Sequence, residues 1–215
     1  MEPKERLAIY GGTFSPPHLG HRKAAEALLS ALHPDRLLII PTFLPPHKAV
    51  SPADSPAHRL AMTRLCFSDL KNTEISDMEI RRQGKSYTFD TLTALTRDDR
   101  EIFFLCGTDM LLTLDTWYRS RDIFALCTLV LARREQDPAL DRAVADKIDK
   151  YRRAYGARIT EIDIEPIVLS STDVRNAVRA GASRDALQSM VSPAVADYMI
   201  ANGLYKETEG GTADA

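Results

Sequence analysis

The amino-acid sequence predicts an α/β fold in which a doubly wound parallel sheet carries helices on both faces. Short apolar runs alternate along the chain with longer amphipathic segments, which is the pattern of β-strands joined by crossover helices. The runs at 101–107 and 127–134 are apolar almost throughout, as expected for strands buried on both faces. A chain of 215 residues with 44% hydrophobic residues can bury the core of one such domain.

Element by element, the N-terminal half begins with two strand–helix repeats and then becomes less regular. Strand patterns lie at 6–10, 36–41 and, more weakly, 73–82. Helical periodicity marks 18–32, 57–70 and 86–97. Residues 42–56 are rich in proline and predict a loop.

The C-terminal half continues the alternation and then becomes helical. Strand patterns lie at 101–107, at 127–134 and within 158–170. Helices are predicted at 138–156, 171–181 and 192–205, with two short ones within 108–126. We therefore expect one domain over 1–206 with a small C-terminal helical part, and a disordered tail at 207–215, which is polar and glycine-rich.

Composition excludes several classes of function. A net charge of -2 argues against a nucleic-acid binder that works by bulk charge. No apolar run approaches the roughly 20 residues that span a bilayer, and the first residues do not resemble a signal peptide, which predicts a cytoplasmic protein. Cys66, Cys106 and Cys127 lie in apolar surroundings without metal-ligand spacing and are predicted to be buried thiols.

The stretch GGTFSPPHLGH at 11–21 follows the first strand and predicts an anion-binding corner. Gly11 and Gly12 would allow a tight turn or close approach to a ligand, and Thr13 adds a hydroxyl. His18 and His21 lie three positions apart at a helix start, where free N–H groups favour phosphate. The alternative is a capped helix with two surface histidines. The pair is too small for a structural zinc site, and the G-x-G-x-x-G and P-loop patterns are absent.

Four later motifs follow predicted strands or begin predicted helices and have two interpretations each. SSTDVR offers Ser170, Ser171, Thr172 and Arg175 to an anion, or forms an ordinary cap with a surface arginine. GTD offers Gly107 and Asp109 to a ligand, or caps a helix. SYTFDTL presents backbone N–H groups at Tyr87 and Thr88, which could hold a carboxylate, or is a plain cap. The single tryptophan, Trp117, stacks on an aromatic ligand or belongs to the core.

These motifs resemble a known enzyme family. GGTFSPPHLGH is similar to the G-[GT]-F-[DS]-P-x-H-x-G-H motif of the nucleotidyltransferase superfamily. The ordered set PPHK, HRLAM, SYTFDTL, GTD, TWYRSRDI, ARRE, LSSTDVR and YMIANGLY resembles bacterial nicotinate-nucleotide adenylyltransferases over residues 6–205. The resemblance implies a Rossmann-like enzyme of NAD biosynthesis that joins nicotinate mononucleotide and ATP, giving nicotinate adenine dinucleotide and pyrophosphate.

The resemblance also implies roles for particular residues. His18, His21 and Arg175 would stabilise charge on the reacting phosphates. The implied ATP contacts are Gly11, Gly12, Thr13, Phe14, His18, His21, Gly107, Asp109, Ser170, Ser171, Thr172 and Arg175. The implied contacts to the mononucleotide are Thr13, His47, Lys48, Tyr87, Thr88, Trp117 and Arg134, with Arg133 as the alternative to Arg134 for the phosphate. Mg²⁺ would accompany ATP, without a protein metal site.

Some questions stay open at this level. Ser15 stands where many relatives have aspartate, which puts any carboxylate role at that corner in doubt. Another superfamily member, of pantetheine-phosphate or cytidylyl type, and a non-catalytic nucleotide-binding module are the alternative functions. Small-molecule substrates are expected, with neither nucleic acid nor membrane as partner. The oligomeric state is undetermined, with a homodimer as one option.

Overall fold

The computed structural model describes residues 3–46, 55–133, 137–165 and 169–206. Within them six strands form one sheet, and every neighbouring pair is parallel. The strands are β1 (Glu5–Gly12), β2 (Arg36–Pro41), β3 (Thr73–Ile75), β4 (Arg100–Gly107), β5 (Thr128–Arg133) and β6 (Arg158–Asp163).

Helices cover both faces of this sheet. The described helices are α1 (Leu19–Leu32), α2 (Pro56–Phe67), α3 (Met78–Arg82), α4 (Thr88–Leu95), α5 (Thr108–Thr113), α6 (Ser120–Leu126), α7 (Pro138–Tyr155), α8 (Ser171–Arg179), α9 (Arg184–Gln188) and α10 (Pro193–Ala201). A 3-10 turn at Leu114–Thr116 links α5 to the segment before α6. None of these helices is both long enough and apolar enough to cross a membrane.

The strand order is β3-β2-β1-β4-β5-β6, so the chain winds outward first from β1 and then from β4. This is the order of the Rossmann-like doubly wound fold, and it confirms the predicted fold class. The switch lies between β1 and β4, where Ile9 is opposite Phe104. Ligands of such sheets bind in the crevice at the carboxyl ends of the two strands that flank the switch.

Alternate residues of the central strands pack into two separate cores. Ala8 and Phe103 lie in the core that contains residues of α1, α2 and the C-terminal helices. Leu7 and Phe104 lie in the opposite core, which contains residues of α4 to α7. Since a fully buried leucine contributes about 1.5–3 kcal/mol, burial on both faces holds these strands and the loops at their ends in place.

The three cysteines are buried free thiols, as predicted. Burial raises the pKa of the Cys66 and Cys127 thiols to about 12, so neither forms a thiolate near neutral pH. Their place is in the cores, and they contribute packing rather than chemistry.

Helices α8 to α10 form the small C-terminal helical part. Val195, Ala196 and Met199 of α10 are buried in the same core as α1 and α2. Tyr198 of α10 also contacts α2, with 2.9 Å between its hydroxyl and His58 Nδ1. These contacts fasten the C-terminal helices to the face of the sheet that carries α1. The tail at 207–215 lies outside the described residues.

The expected strand at 73–82 is wrong over most of its length. Only residues 73–75 pair with β2, and the last ladder-like contact is the Ser76 N–H to the Ile39 carbonyl, at 2.9 Å. Residues 78–82 form α3 instead, because Met, Glu and Arg favour a helix once the strand has ended. The short helix α9 was not predicted, and the other helices differ from their expected bounds by up to a few residues.

A partly buried cluster of polar and charged side chains attaches α7 to the 3-10 turn that precedes Trp117. Asp115 accepts hydrogen bonds from Lys147 Nζ at 2.9 Å, Lys150 Nζ at 2.7 Å and the Tyr151 hydroxyl at 3.2 Å. The hydrogen bonds from the two lysines hold the pKa of the Asp115 carboxyl well below its usual range. The side chain keeps 14% of its surface exposed, so the cluster is only partly shielded from water.

We predict that Asp115→Asn lowers the free energy of unfolding by about 1.5–3 kcal/mol at pH 7, the range for hydrogen bonds to a charged group. Because the folded-state pKa is depressed, this stabilisation is present above the unfolded pKa of about 3.9 and is lost as pH falls below it. Urea unfolding of both proteins at pH 7, 5 and 3.5 measures the difference. A difference that stays constant over this range would show that the charge of Asp115 is unimportant.

Candidate active site

The loop between β1 and α1 is built differently from the predicted glycine turn. Gly11 and Gly12 lie within β1, beside the end of β2. The chain turns at Phe14, whose φ of 51° is in the left-handed region, and then passes through a cis Ser15–Pro16 bond. A Cβ on Gly12 would lie 2.8 Å from Phe14 Cζ, so Gly12 makes room for that ring rather than for a ligand. Gly11 has no such close neighbour.

Phe14 anchors this loop in the core. Its side chain is 1% exposed, and its ring makes edge contacts with Tyr10 at 5.4 Å, His21 at 5.1 Å and Phe67 at 6.0 Å between centroids. This packing offsets the cost of a left-handed backbone, which is of order 1–3 kcal/mol. The predicted contact of Phe14 with ATP can therefore involve only its backbone.

His18 and His21 cap the N-terminus of α1. His18 Nδ1 accepts the Gly20 N–H at 3.1 Å, and His21 Nδ1 accepts the His18 N–H at 3.1 Å. This is a capping box in which two imidazoles replace the usual hydroxyl and carboxyl groups. Since both Nδ1 atoms accept N–H groups, each neutral ring carries its proton on Nε2 and is a donor there. His18 is 4% exposed, which rules out the surface alternative for this residue.

Gly20 allows the His18 ring to lie over the first turn of α1. A Cβ at this position would be 3.0 Å from both Cε1 and Nδ1 of His18, closer than nearly all real Cβ contacts. The backbone of Gly20 also donates the hydrogen bond that orients the same ring. Gly20 therefore positions His18, a role that the sequence interpretation did not assign to it.

Helix α8 begins against the same loop. Ser170 and Asp173 form its capping box, and hydrogen bonds from Ser170 hold the pKa of the Asp173 carboxyl below its usual range. Ser171 Oγ donates to the Pro16 carbonyl at 2.9 Å. Arg175 Nη1 donates to the Ser15 carbonyl at 2.6 Å. The corner thus has an ionised carboxylate as well as donors, and Asp173 already occupies the Ser170 N–H at 2.8 Å.

The structure brings the two predicted halves of the phosphate site together. Arg175 Nη2 also contacts Thr172 Oγ1 at 2.9 Å, so its guanidinium is held from both sides. Two helix N-termini meet here, and each adds partial positive charge to that of Arg175. The Ser15 contact uses its carbonyl, which any residue would supply, so this contact does not depend on the side chain at that position.

An open cleft of about 200 Å³ lies at the carboxyl ends of the strands and reaches Thr13, at the start of the loop that leads to this corner. Its walls combine the glycine end of β1, the segment after β2, helix α3, the start of α4 and the segment after the 3-10 turn. The lining residues are Gly11, Gly12, Thr13, Thr42, Pro45, Pro46, Glu79, Ser86, Tyr87, Thr88, Phe104, Met110, Trp117, Tyr118 and Ile123.

Tyr87 and Thr88 at the start of α4 line the same cleft as Trp117, and these three residues are the ones predicted to contact the pyridine ring. Tyr87 precedes the first residue of α4 without capping it through its side chain. The first N–H groups of α4, from Thr88 onward, therefore lack partners within the helix. Tyr118, which the sequence interpretation missed, packs on Tyr87 with 4.7 Å between ring centroids.

The remaining predicted site residues lie near the ends of β4 and β5 or outside the described residues. Asp109 is exposed in the first turn of α5, beside Gly107 at the end of β4. Arg133 at the end of β5 forms ion pairs with Asp141 and with Glu161, so carboxylates already engage its guanidinium. His47, Lys48 and Arg134 lie outside the described residues.

Arg59 is the most informative residue that the sequence interpretation did not single out. Its side chain is fully buried, and it donates to the Thr13 carbonyl and to the Phe43 carbonyl, both at 2.8 Å. It therefore connects the loop after β1 to the segment after β2. Arg59 belongs to the HRLAM motif, which was a signal of its importance. Because an arginine on a helix is normally exposed, the sequence pattern alone did not predict its burial.

Fold and comparisons together define a nucleotidyltransferase with a Rossmann-like domain, in which two histidines cap the first helix. The cytidylyltransferase-like family model matches residues 9–177. A "Probable nicotinate-nucleotide adenylyltransferase" from Caldicellulosiruptor saccharolyticus is 34% identical over 94% of this chain and 100% of the relative. One of the same name from Gemmatimonas aurantiaca is 35% identical over 97% and 96%.

Solved structures agree on the fold. Plasmodium falciparum nicotinic acid mononucleotide adenylyltransferase, complexed with NaAD, superposes with a TM-score of 0.74 at 15% identity, covering 94% of this chain and 97% of that one. The family-model match and the curated relatives together make the chain a member of the nicotinate-nucleotide adenylyltransferase family, within the cytidylyltransferase-like nucleotidyltransferases.

We predict that Gly20→Ala lowers turnover by about 10- to 100-fold without lowering the thermal midpoint. The added Cβ displaces the His18 ring, and small displacements at a reacting centre cost rates of this order. Alanine also favours the helix by up to about 1 kcal/mol, so stability is kept or raised. Ser30→Ala on the exposed side of α1 is the control. Full activity of Gly20→Ala would show that His18 need not be held where it is.

Proposed function

We propose that this protein joins nicotinate mononucleotide to the AMP part of ATP, giving nicotinate adenine dinucleotide and pyrophosphate in NAD biosynthesis. The observation that carries the proposal is the position of the cleft. It has an aromatic wall beside the start of α4, and it reaches Thr13, where the loop to the corner of α1 and α8 begins. Such a cleft suits a pyridine mononucleotide whose phosphate must reach a second nucleotide. The names of the relatives support the same reaction.

The pyridine ring would bind at the aromatic end of the cleft. Trp117 and Tyr118 line this end and offer stacking surfaces. The carboxylate of nicotinate would accept hydrogen bonds from the unpaired N–H groups at the start of α4, as anions do at helix N-termini. Because an amide carries no negative charge, this contact would favour nicotinate over nicotinamide mononucleotide.

The phosphates would react at the corner between α1 and α8. An oxygen of the mononucleotide phosphate attacks the α-phosphorus of ATP in line, and the bond from that phosphorus to the β-phosphate bridging oxygen breaks. His18 and His21 would donate from Nε2 to phosphate oxygens, and Arg175 would stabilise the charge that moves onto pyrophosphate. No covalent enzyme intermediate is needed, so positioning and charge account for the catalysis.

Mg²⁺ would arrive with the phosphates of ATP. Over the described residues, no three His, Cys, Asp or Glu side chains gather to hold a metal ion. Apart from the Asp173 carboxylate, which is engaged by Ser170, the corner offers N–H and guanidinium groups, which do not fit a cation. The ion would supply charge neutralisation on ATP, through phosphate and water oxygens. Because ATP and the mononucleotide are cytoplasmic metabolites, we place the reaction in the cytoplasm.

The test is a substrate profile that follows pyrophosphate release. ATP or CTP is offered with nicotinate mononucleotide, nicotinamide mononucleotide, phosphopantetheine or no acceptor. We expect release only with ATP and a pyridine mononucleotide, and faster with nicotinate than with nicotinamide. Release with phosphopantetheine but not nicotinate mononucleotide would replace the proposal by another transferase. If ATP binds but no acceptor gives pyrophosphate release, the protein is a non-catalytic nucleotide-binding module.

The Nε2 donor of His21 is tested by His21→Gln. Glutamine at the third helical position keeps the capping hydrogen bond to the His18 N–H, so the thermal midpoint should stay within a few degrees. It lacks the imidazole donor at the phosphates, and loss of one such donor lowers kcat by about 10²- to 10³-fold. The measurements are kcat with nicotinate mononucleotide and the unfolding midpoint. Equal losses of activity and stability would indicate a purely structural histidine.

A further inference from the structure

Two buried polar atoms in the cleft have no hydrogen-bond partner among the described residues. They are Oε2 of Glu79 and Oγ1 of Thr42, and both residues line the cleft. Glu79 is 6% exposed, so its carboxyl group is almost wholly removed from bulk water. A buried polar atom without a partner costs about 1–3 kcal/mol. In a ligand cleft, such an atom indicates that a group of the ligand makes the missing hydrogen bond.

The carboxyl group of Glu79 is held by one of its two oxygens. The Thr91 hydroxyl donates to Oε1 at 2.5 Å, and Arg82 Nη2 in turn donates to Thr91 Oγ1 at 3.0 Å. The Arg82 guanidinium is 3.9 Å from Oε1. Burial raises the pKa of the Glu79 carboxyl, and the Thr91 hydrogen bond and the nearby Ser86 hydroxyl and Arg82 guanidinium only partly oppose this. Oε1 is thus committed to α4, and Oε2 is left for a ligand.

Thr42 is fixed on the other side by backbone contacts. Its N–H donates to the Gly12 carbonyl at 2.9 Å. The next residue, Phe43, donates its N–H to Ser86 Oγ at 2.9 Å and accepts from Arg59. The segment after β2 is therefore anchored both to β1 and to the residues before α4. Thr42 therefore lies beside the end of β1 and lines the same cleft as Glu79, Tyr87 and Trp117.

The chemistry of these two atoms selects one part of the mononucleotide. A carboxylate oxygen only accepts hydrogen bonds, so it would repel the phosphate and the nicotinate carboxylate, which are also acceptors. The pyridine ring offers no O–H group. The ribose hydroxyls can each donate to a carboxylate and accept from a threonine hydroxyl. The sugar joins the ring to the phosphate, and Glu79 and Thr42 line the same cleft as the ring-binding residues.

We propose that Glu79 and Thr42 bind the ribose diol of the mononucleotide and select ribose over deoxyribose. This inference rests on the proposed function and adds the sugar to the ring and phosphate contacts. A site with a buried group that pairs with a substrate hydroxyl rejects the analogue without that hydroxyl, because the buried group is then left unpaired.

The experiment compares nicotinate mononucleotide with its 2′-deoxy and 3′-deoxy analogues. For the wild-type protein we expect kcat/KM to fall by at least about 10²-fold with one or both analogues, since recognition of a substrate hydroxyl gives discrimination of up to 10⁴–10⁵. The KM for ATP should not change between acceptors.

Glu79→Gln is the informative variant. Because the Thr91 hydroxyl donates to Oε1, the glutamine carbonyl should take that place, and its NH₂ group would then replace Oε2. A donor thus replaces an acceptor without a change of size. We expect kcat/KM for nicotinate mononucleotide to fall about 10- to 100-fold, and the ribose-to-deoxyribose ratio to fall below about 10. Thr42→Val, which replaces the hydroxyl by a methyl group, should reduce the same ratio. It tests the inference independently if Glu79→Gln does not fold.

Glu101→Gln, on an exposed residue in the first part of β4, is the control and should leave every ratio unchanged. An active wild-type protein that accepts both analogues as well as the ribonucleotide would overturn this inference and leave the proposed function standing. So would unchanged discrimination in Glu79→Gln, or a change only in the ratio of nicotinate to nicotinamide. A wild-type protein with no release on nicotinate mononucleotide would instead refute the proposed function.

Discussion

Three backbone carbonyls of the loop after β1 are each held by a side chain from elsewhere in the chain, and the site depends on these contacts. Arg59 holds the Thr13 carbonyl, Arg175 that of Ser15 and Ser171 that of Pro16. A loop with no ladder of its own must satisfy its backbone groups by such bonds. Here they also join α2 and α8 to α1. The positions of both helix N-termini, and of the histidines that cap one of them, follow from this arrangement.

Groups of different charge lie at different places in this site. Guanidinium and N–H donors lie where α1 and α8 begin, beside an Asp173 carboxylate that Ser170 engages, whereas the carboxyl group of Glu79 on α3 lies in the cleft wall and is bonded to α4. A mononucleotide has the complementary order, with an anionic phosphate, a sugar with hydroxyls and an aromatic ring. Because buried charges and dipoles interact strongly when water is excluded, this order would orient the ligand as well as bind it.

Particular residues show how far sequence reasoning reaches into this site. His21 was correctly placed in the first helical turn, and His18 is the residue that caps this turn rather than part of it; both positions follow from a local spacing of three. The role of Gly12 was not predicted, because it depends on the ring of Phe14, which fills the space beside Gly12 only in the folded chain. Glu79 fell in a segment predicted to be a strand, and its burial depends on α3 folding back over the end of β2. No sequence pattern signals a carboxyl group with one unpaired oxygen.

By itself, the sequence determined the alternation of strands and helices, the apolar character of the strands and the position of the helix-capping histidines. These follow from periodicity and from local hydrogen bonding, which act over a few residues. Only the tertiary structure decided which carbonyls Arg59 and Arg175 bind, why Gly12 and Gly20 lack side chains, and where Glu79 is buried. Those contacts join residues up to 160 positions apart, and close packing of the folded chain specifies them.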